Sequence, residues 1–428
     1  MTHLKLKSGL ALAGALVVLQ SNAGDWTLYR GPEGTGISKE TVSVWPAAGP
    51  KEVWRVETDS GFSSFTVAKG RAFTQVLREV DGVKREVCLA LNADTGKELW
   101  AVPVGMPNYG HGGGNDGVGD NKGGDGPRST PTTDGDRVYV LTSDLALIAL
   151  EASSGKEVWK RDFMKEHAGV NITWKNAASP VLEGDLIFAG GGGAGQALMA
   201  INKNDGKVVW KTEDDKITHA TPVLATIHGV RQVILFTQKG LVAVDTKAGK
   251  TLWRQNFRFN VSTAASPIVA GDLVYCSAGY SVGAGLTRIS KQGDAFTATE
   301  VWRKPNEMFN HWSTPVYHDG HLYGMFSFKE YGKGPLKCIE LATGQEKWSQ
   351  PGFGAGNVVL AGNTLVVLGD AGQLALVEAS PKGYKEIAQK DVLDGKCWST
   401  PAIANGRVYV RSTKEGKCLD LTTKVAAR

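Results

Sequence analysis

Apolar positions along this chain come in short runs, and one run keeps returning. A Ser/Thr-Pro step leads through a Gly-containing turn into a Val/Ile-rich stretch. It reads STPTTDGDRVYVLT from Ser129, ASPVLEGDLIFAG from Ala178 and ATPVLATIHGVRQVILFT from Ala220. It continues as ASPIVAGDLVYCS from Ala265, STPVYHDGHLYGMF from Ser313 and STPAIANGRVYVRS from Ser399. Two copies lack the proline but keep the spacing: SSFTVAKGRAFTQ from Ser63 and AGNVVLAGNTLVVLG from Ala355. Short apolar runs bounded by turn signals are strands, and the fixed period makes them a repeat of eight units.

A second marker alternates with the first. DTGKELW, Asp94–Trp100, returns as SSGKEVW ending at Trp159, NDGKVVW ending at Trp210 and KAGKTLW ending at Trp253, and more loosely as ATGQEKW ending at Trp348. Trp302 closes a further unit, the seventh unit carries only SPKGYKEIAQ, and the eighth has no such strand before the chain ends. A matching strand instead precedes the first unit, GPKEVWRVET with Trp54, so the N-terminus can supply the outer strand that the last unit lacks.

Each unit thus predicts four antiparallel strands. One four-stranded sheet cannot bury both faces, whereas a closed ring of them can, with only short protected edges. The expectation is all-β, an eight-bladed β-propeller closed by the N-terminal strand, with seven blades as the alternative count. Gly96, Gly155, Gly206, Gly249 and Gly344 then take the left-handed backbone of a hairpin turn. Each Trp covers a seam between blades, about 2–3 kcal/mol of burial, and the small residue ten positions earlier (Ala90, Ala149, Ala200, Ala243) leaves room for it.

Composition agrees with this picture. Hydrophobic residues are 42% and charged residues 21% of the chain, and 54 glycines suit many tight turns. The net charge of +5 includes Lys5 and Lys7 and shows no basic run with interleaved aromatics, so nucleic acid is not an expected partner. Residues 1–23 read as a secretory signal: a basic start, the apolar core LALAGALVVL, and SNA before a cut ahead of Gly24. There is no Cys at the cut and no other run of membrane-span length. The expected organisation is a signal peptide over 1–23, an extension packing on the propeller over 24–48, and the propeller over 49–428. The expected location is the periplasm or the exterior, as a monomer. Five cysteines give no disulfide framework. Cys338 and Cys418 fill the Ala position of the repeat, as small buried thiols would; a Cys397–Cys418 bridge is the alternative.

The full spacing Ala90-x-Asn92-x-x-Thr95-Gly96-Lys97-x-x-Trp100 resembles the tryptophan-docking motif of the PQQ-repeat, quinoprotein-like propellers. The resemblance runs from Trp54 to Leu421. The opening DWTLYRGPEGTGIS and the stretch GDGPRSTPTTDGDRVYVL look like the PQQ-repeat proteins of planctomycetes and verrucomicrobia, and the family includes the assembly scaffold BamB. The resemblance implies either a scaffold without cofactor or a dehydrogenase using pyrroloquinoline quinone (PQQ) and calcium. The dehydrogenase branch carries an adjacent Cys pair over the quinone and Glu/Asn/Asp calcium ligands. Here no two cysteines are adjacent and no calcium motif matches, so no cofactor is expected.

Other motifs reduce to loops. GYSVG, Gly279–Gly283, lies between two strands, not between a strand and a helix as a nucleophile elbow requires. GGGGAG, Gly190–Gly195, is likewise followed by a strand. The long connection Tyr109–Arg128 carries Asp116, Asp120 and Asp125 at spacings that fit no calcium loop. The stronger candidate is positional. The residue three before each Ser/Thr-Pro proline should ring one mouth of the channel: Phe62, Arg128, Ala177, His219, Ala264, Trp312, Ala355 and Trp398. With neighbours Trp174, Lys175, Asn310 and His311, this set reads either as a ligand-facing funnel or as a plug. The binding candidates are Arg128, Trp174, Lys175, His219, His311, Trp312 and Trp398, with no catalytic or metal residue. The expected function is an exported, non-catalytic binding or scaffold propeller of the cell envelope, holding an envelope protein or a small ligand. A PQQ-dependent oxidoreductase and a carbohydrate-binding propeller are the alternatives.

Overall fold

The computed structural model describes residues 24–106, 109, 126–259, 263–326 and 330–422. Residues 1–23, which the sequence reads as a secretory signal, and most of the Tyr109–Arg128 connection lie outside the described residues. Eight sheets form, one per sequence unit, and none of their blades contains a helix. Blade 1 runs Thr66–Ala68, Arg71–Val80, Val83–Asn92, Glu98–Gly105 from the channel outward. Blade 2 is built from Thr132–Thr133, Arg137–Leu141, Ala146–Glu151 and Glu157–Asp162. Blades 3 to 7 repeat this order, and in blade 8 the strand Lys51–Glu57 pairs antiparallel with Glu415–Asp420. The two ends of the chain therefore close the ring, as the sequence predicts.

Inner turns obey the expected chemistry. At Asp319–Gly320 and Asn405–Gly406 both residues have positive φ (43° and 79°; 55° and 72°), the backbone of a two-residue hairpin whose twist matches its strands. At the outer turn the motif's Asn has its own task. The Asn92 Oδ1 accepts from the backbone N–H groups of Asp94 (3.0 Å) and Thr95 (2.9 Å), holding the turn that Gly96 completes.

The Trp seams are specific. Most of these indoles pair across their sheet with a small residue (Ala90 with Trp100, Ala200 with Trp210, Cys338 with Trp348, Cys418 with Trp54), while Trp302 pairs with Leu286. Each then donates to a carbonyl in the next blade: Trp54 to Ala93 (2.9 Å), Trp100 to Ala152 (3.1 Å), Trp159 to Lys203 (2.9 Å), Trp210 to Thr246 (3.1 Å), Trp302 to Leu341 (3.0 Å) and Trp348 to Ser380 (2.7 Å). The ring lies on the next blade's turn glycine: a Cβ on Gly206 would sit 2.7 Å from Trp159. The glycine thus supplies both the left-handed turn and a bare face for the neighbouring indole. Trp253 departs from this pattern. Blade 5 has no Thr-Gly turn facing it, because its outer strands extend over Gly283–Gln292 and Ala295–Lys304. Trp253 therefore donates to Gln232 Oε1 of its own blade at 2.6 Å. All five cysteines are free and buried, so the Cys397–Cys418 bridge does not form and the buried-thiol reading holds.

The extension crosses the channel end away from the mouth. Trp26 bridges Val67 of blade 1, Thr27 O accepts from Thr133 N of blade 2 (3.0 Å), and Ile37–Ser38 adds a parallel strand to Asn357–Ala361 of blade 7. Between them Arg30, 1% exposed, donates to Thr314 O (2.7 Å) and Pro315 O (2.8 Å) of blade 6. No helix among the described residues is long and apolar enough to cross a membrane.

Candidate functional site

The Ser/Thr of the repeat's Ser/Thr-Pro step has a structural role that the sequence did not disclose. Its hydroxyl accepts a backbone N–H from the neighbouring inner strand. Ser64 N donates to Thr130 Oγ1 (3.0 Å), Thr130 N to Ser179 Oγ (2.9 Å), and Ser179 N to Thr221 Oγ1 (3.0 Å). Likewise Ser266 N donates to Thr314 Oγ1 (3.0 Å), and Thr400 N to Ser64 Oγ (2.8 Å). These links satisfy inner-strand donors that the diverging blades leave without a partner strand. They also hold the residues just upstream at one rim.

That rim is where the mouth residues meet. Phe62 stacks on Trp398 (centroids 4.9 Å apart, planes 28°), and Trp398 meets Trp312 (4.3 Å, 31°). Trp312 reaches over blade 7, where the equivalent residue is only Ala355, and its Nε1 donates to Ala355 O at 2.8 Å. His311 abuts Trp312 edge-on (5.1 Å), and Tyr280 abuts His311 (4.9 Å). On the other side, Arg128 lies 5.7 Å from the Phe62 ring centre and 5.5 Å from that of Tyr109. The Phe62, Trp398 and Trp312 rings therefore present their faces mainly to one another at the centre of the mouth.

The charges around this tier are constrained. His219 is buried, and burial together with the nearby Arg128 charge pulls its pKa down to about 4, against hydrogen bonds to the Lys175 and Thr173 backbone. It is neutral at physiological pH. Lys396, 1% exposed, lies 4.9 Å from the Trp398 ring centre. Asp370 accepts from Gly332 N and Ala355 N (both 2.8 Å), yet burial pushes its pKa up to about 6. Glu86 is also raised by burial; it accepts from Tyr109 Oη (2.7 Å) and Ser143 N (3.1 Å).

Of the candidate residues, Arg128, His311, Trp312 and Trp398 join one tier, with His219 close by. Trp174 stands at the rim, 39% exposed, with its carbonyl accepting from Arg128 Nη1 at 3.4 Å. Lys175 instead turns to Asp144 (2.8 Å). Trp174, Lys175, Tyr280 and Ser281 all have left-handed backbone, φ 65°, 65°, 54° and 63°, a strained conformation common in functional loops. Sequence reasoning missed Tyr280, Lys396 and Asp370. Tyr280 was hidden in the GYSVG loop, and Lys396 stands two residues before Trp398 in GKCW. Asp370 carried no signal beyond GDAG. Among the described residues no group of three or more His, Cys, Asp or Glu could hold a metal ion, and the buried cysteines are not adjacent.

A sequence profile described as outer membrane protein assembly factor BamB matches residues 83–350 and 332–424. BamB of Shewanella oneidensis is 24% identical over 294 residues, covering 65% of this chain and 67% of that protein. BamB of Burkholderia pseudomallei is 26% identical over 247 residues, 56% of this chain and 60% of its own length. In structure, BamB of Moraxella catarrhalis superposes with a TM-score of 0.60 at 15% identity, covering 89% of this chain and all of that one (100%). Quinohemoprotein alcohol dehydrogenase of Comamonas testosteroni gives 0.63 at 13% identity over 96% and 83%. At such identities the structural likenesses establish the fold alone. Taken with the profile, the docking motif and the eight blades, they show that this chain belongs to the BamB family of PQQ-repeat β-propellers.

Proposed function

We propose that this chain is a non-catalytic scaffold of the cell envelope, acting with outer-membrane assembly proteins from the periplasmic side. The observation that carries this reading is the filling of the channel. The extension with Arg30 crosses one end, and the Phe62–Trp398–Trp312 rings pack on one another at the other. A propeller filled in this way offers its rim and loops to a partner. The BamB sequence relatives, described as outer membrane assembly factors, support the same role, while the likeness to the alcohol dehydrogenase is one of fold. The candidate residues Arg128, His311, Trp312 and Trp398 then shape the rim, and Trp174 is exposed for contact.

Deleting the chain in its source organism and measuring outer-membrane β-barrel protein levels tests the proposal. Reduced levels, restored by the intact gene, are expected. Unchanged levels would overturn it, as would substrate-dependent dye reduction by purified protein supplied with PQQ and Ca²⁺.

A further inference from the structure

Away from the central rings, a groove of about 650 Å³ opens on the mouth face between blades 1 and 2. One wall is the end of the outer strand Glu98–Gly105, and the other is the short helix Phe163–His167 that follows blade 2. Its apolar lining includes Pro103, Val104, Met106 and Met164. Met106 is 63% exposed and Met164 39%. Two exposed methionines lining one groove form an adaptable apolar surface of the kind that accepts partner side chains.

The groove's lining holds three carboxylates and three cations, and they are not matched one to one. Its three carboxylates are engaged: Asp144 with Lys175 (2.8 Å), Asp162 with Lys165 (3.1 Å), and buried Glu86 with Tyr109 and Ser143. Its cations Arg85 and Lys160 are in no ion pair among the described residues. Backbone pairing is also blunted. Pro103, near the end of the free outer strand, has no N–H to offer an added strand. A partner would bind here through its side chains.

We propose that this groove docks an extended segment of a partner protein in which apolar side chains alternate with acidic ones. The apolar side chains would seat against Met106 and Met164, and the carboxylates would face Arg85 and Lys160. This gives the scaffold reading a specific docking surface, but its test stands apart from that reading because it needs no assembly phenotype.

The mature chain is titrated into a short fluorescent peptide of alternating Leu and Glu, followed by anisotropy. The comparison peptides alternate Leu with Lys and Ser with Glu. The Leu–Glu peptide should bind tightest. Reversing both cations (Arg85→Glu with Lys160→Glu) should weaken it by about tenfold, the sum of two exposed charge contacts, and should improve binding of the Leu–Lys peptide. Met164→Ser, at an exposed position that leaves the blades intact, should weaken Leu–Glu binding without the charge swap. Equal binding of all three peptides, or Leu–Glu binding unchanged by the charge reversal in a protein with unaltered circular dichroism, would overturn the proposal.

Discussion

The dual role of the motif glycine can be measured by comparing two substitutions in one blade. Gly206 and Gly184 both have positive φ, 72° and 59°. An alanine at either must enter the left-handed region, at about 1 kcal/mol. Their surroundings differ. A Cβ at Gly206 would lie 2.7 Å from Trp159, whose ring is held by its bond to Lys203 O, while one at Gly184 meets nothing within 4 Å. Gly206→Ala therefore adds an overpacking cost of about 1–3 kcal/mol, because the indole must leave its seat. The expected loss is about 1 kcal/mol for Gly184→Ala and about 2–4 kcal/mol for Gly206→Ala. Urea unfolding followed by circular dichroism reads both, with an unchanged m-value required for the comparison. Gly249→Ala, with Trp210 at 2.7 Å, should behave like Gly206→Ala. Gly344→Ala should fall between, because its nearest atom is the movable end of Lys304 at 2.5 Å. Equal losses at Gly206 and Gly184 would refute the seam argument and leave only turn geometry.

Three further outcomes follow from the same structure. Arg411→Met should destabilise by about 3 kcal/mol, since Arg411 donates from blade 8 to Thr74 Oγ1 (2.9 Å) and Gln75 O (2.8 Å) of blade 1; a thermal shift below about 1 °C would argue against that link. Gln232→Leu should cost about 1–3 kcal/mol by stranding the Trp253 N–H, and hydrogen exchange should rise at the blade 4–5 seam rather than around the ring. Asp370 ionises at about 6 in the fold against an ordinary 3.8. Its folded pKa is raised, so the unfolded chain ionises first, and stability falls as pH climbs from about 4 to about 6, by on the order of 3 kcal/mol. Asp370→Asn should flatten that slope in unfolding curves taken across this window, and an unchanged slope would mean another group sets it.

The repeat made the fold readable because each unit solves the same burial problem. A Thr-Gly turn, a small residue and a Trp at fixed spacing leave few ways to pack four strands. Legibility failed where the solution depends on partners distant in sequence. Trp253 carries the full motif, yet its indole turns inward because blade 5 has no glycine face to receive it, a fact that resides in residues 283–304. The Ser/Thr-Pro step showed its proline plainly. The hydroxyl's role stayed hidden because its donor lies about one blade away, as Thr130 N is from Ser179.

The mouth shows the same division more sharply. Counting back from each proline found Arg128, Trp312 and Trp398, because the inner strands enter the channel in register. Periodicity could not say that Trp312 would span the Ala355 gap to meet Trp398, turning candidate ligand faces into a stack. Blade 7 is the cause. It lacks both the Ser/Thr-Pro step and the docking Trp. The structure fills its deficits with Ile37–Ser38 at one end of the channel and with Trp312 at the other. The degenerate unit is thus where the N-terminal extension and the aromatic tier are both recruited. Among the described residues, the blade 1–2 side of the mouth, with Met106, Met164, Arg85 and Lys160, is a face whose chemistry internal packing does not consume.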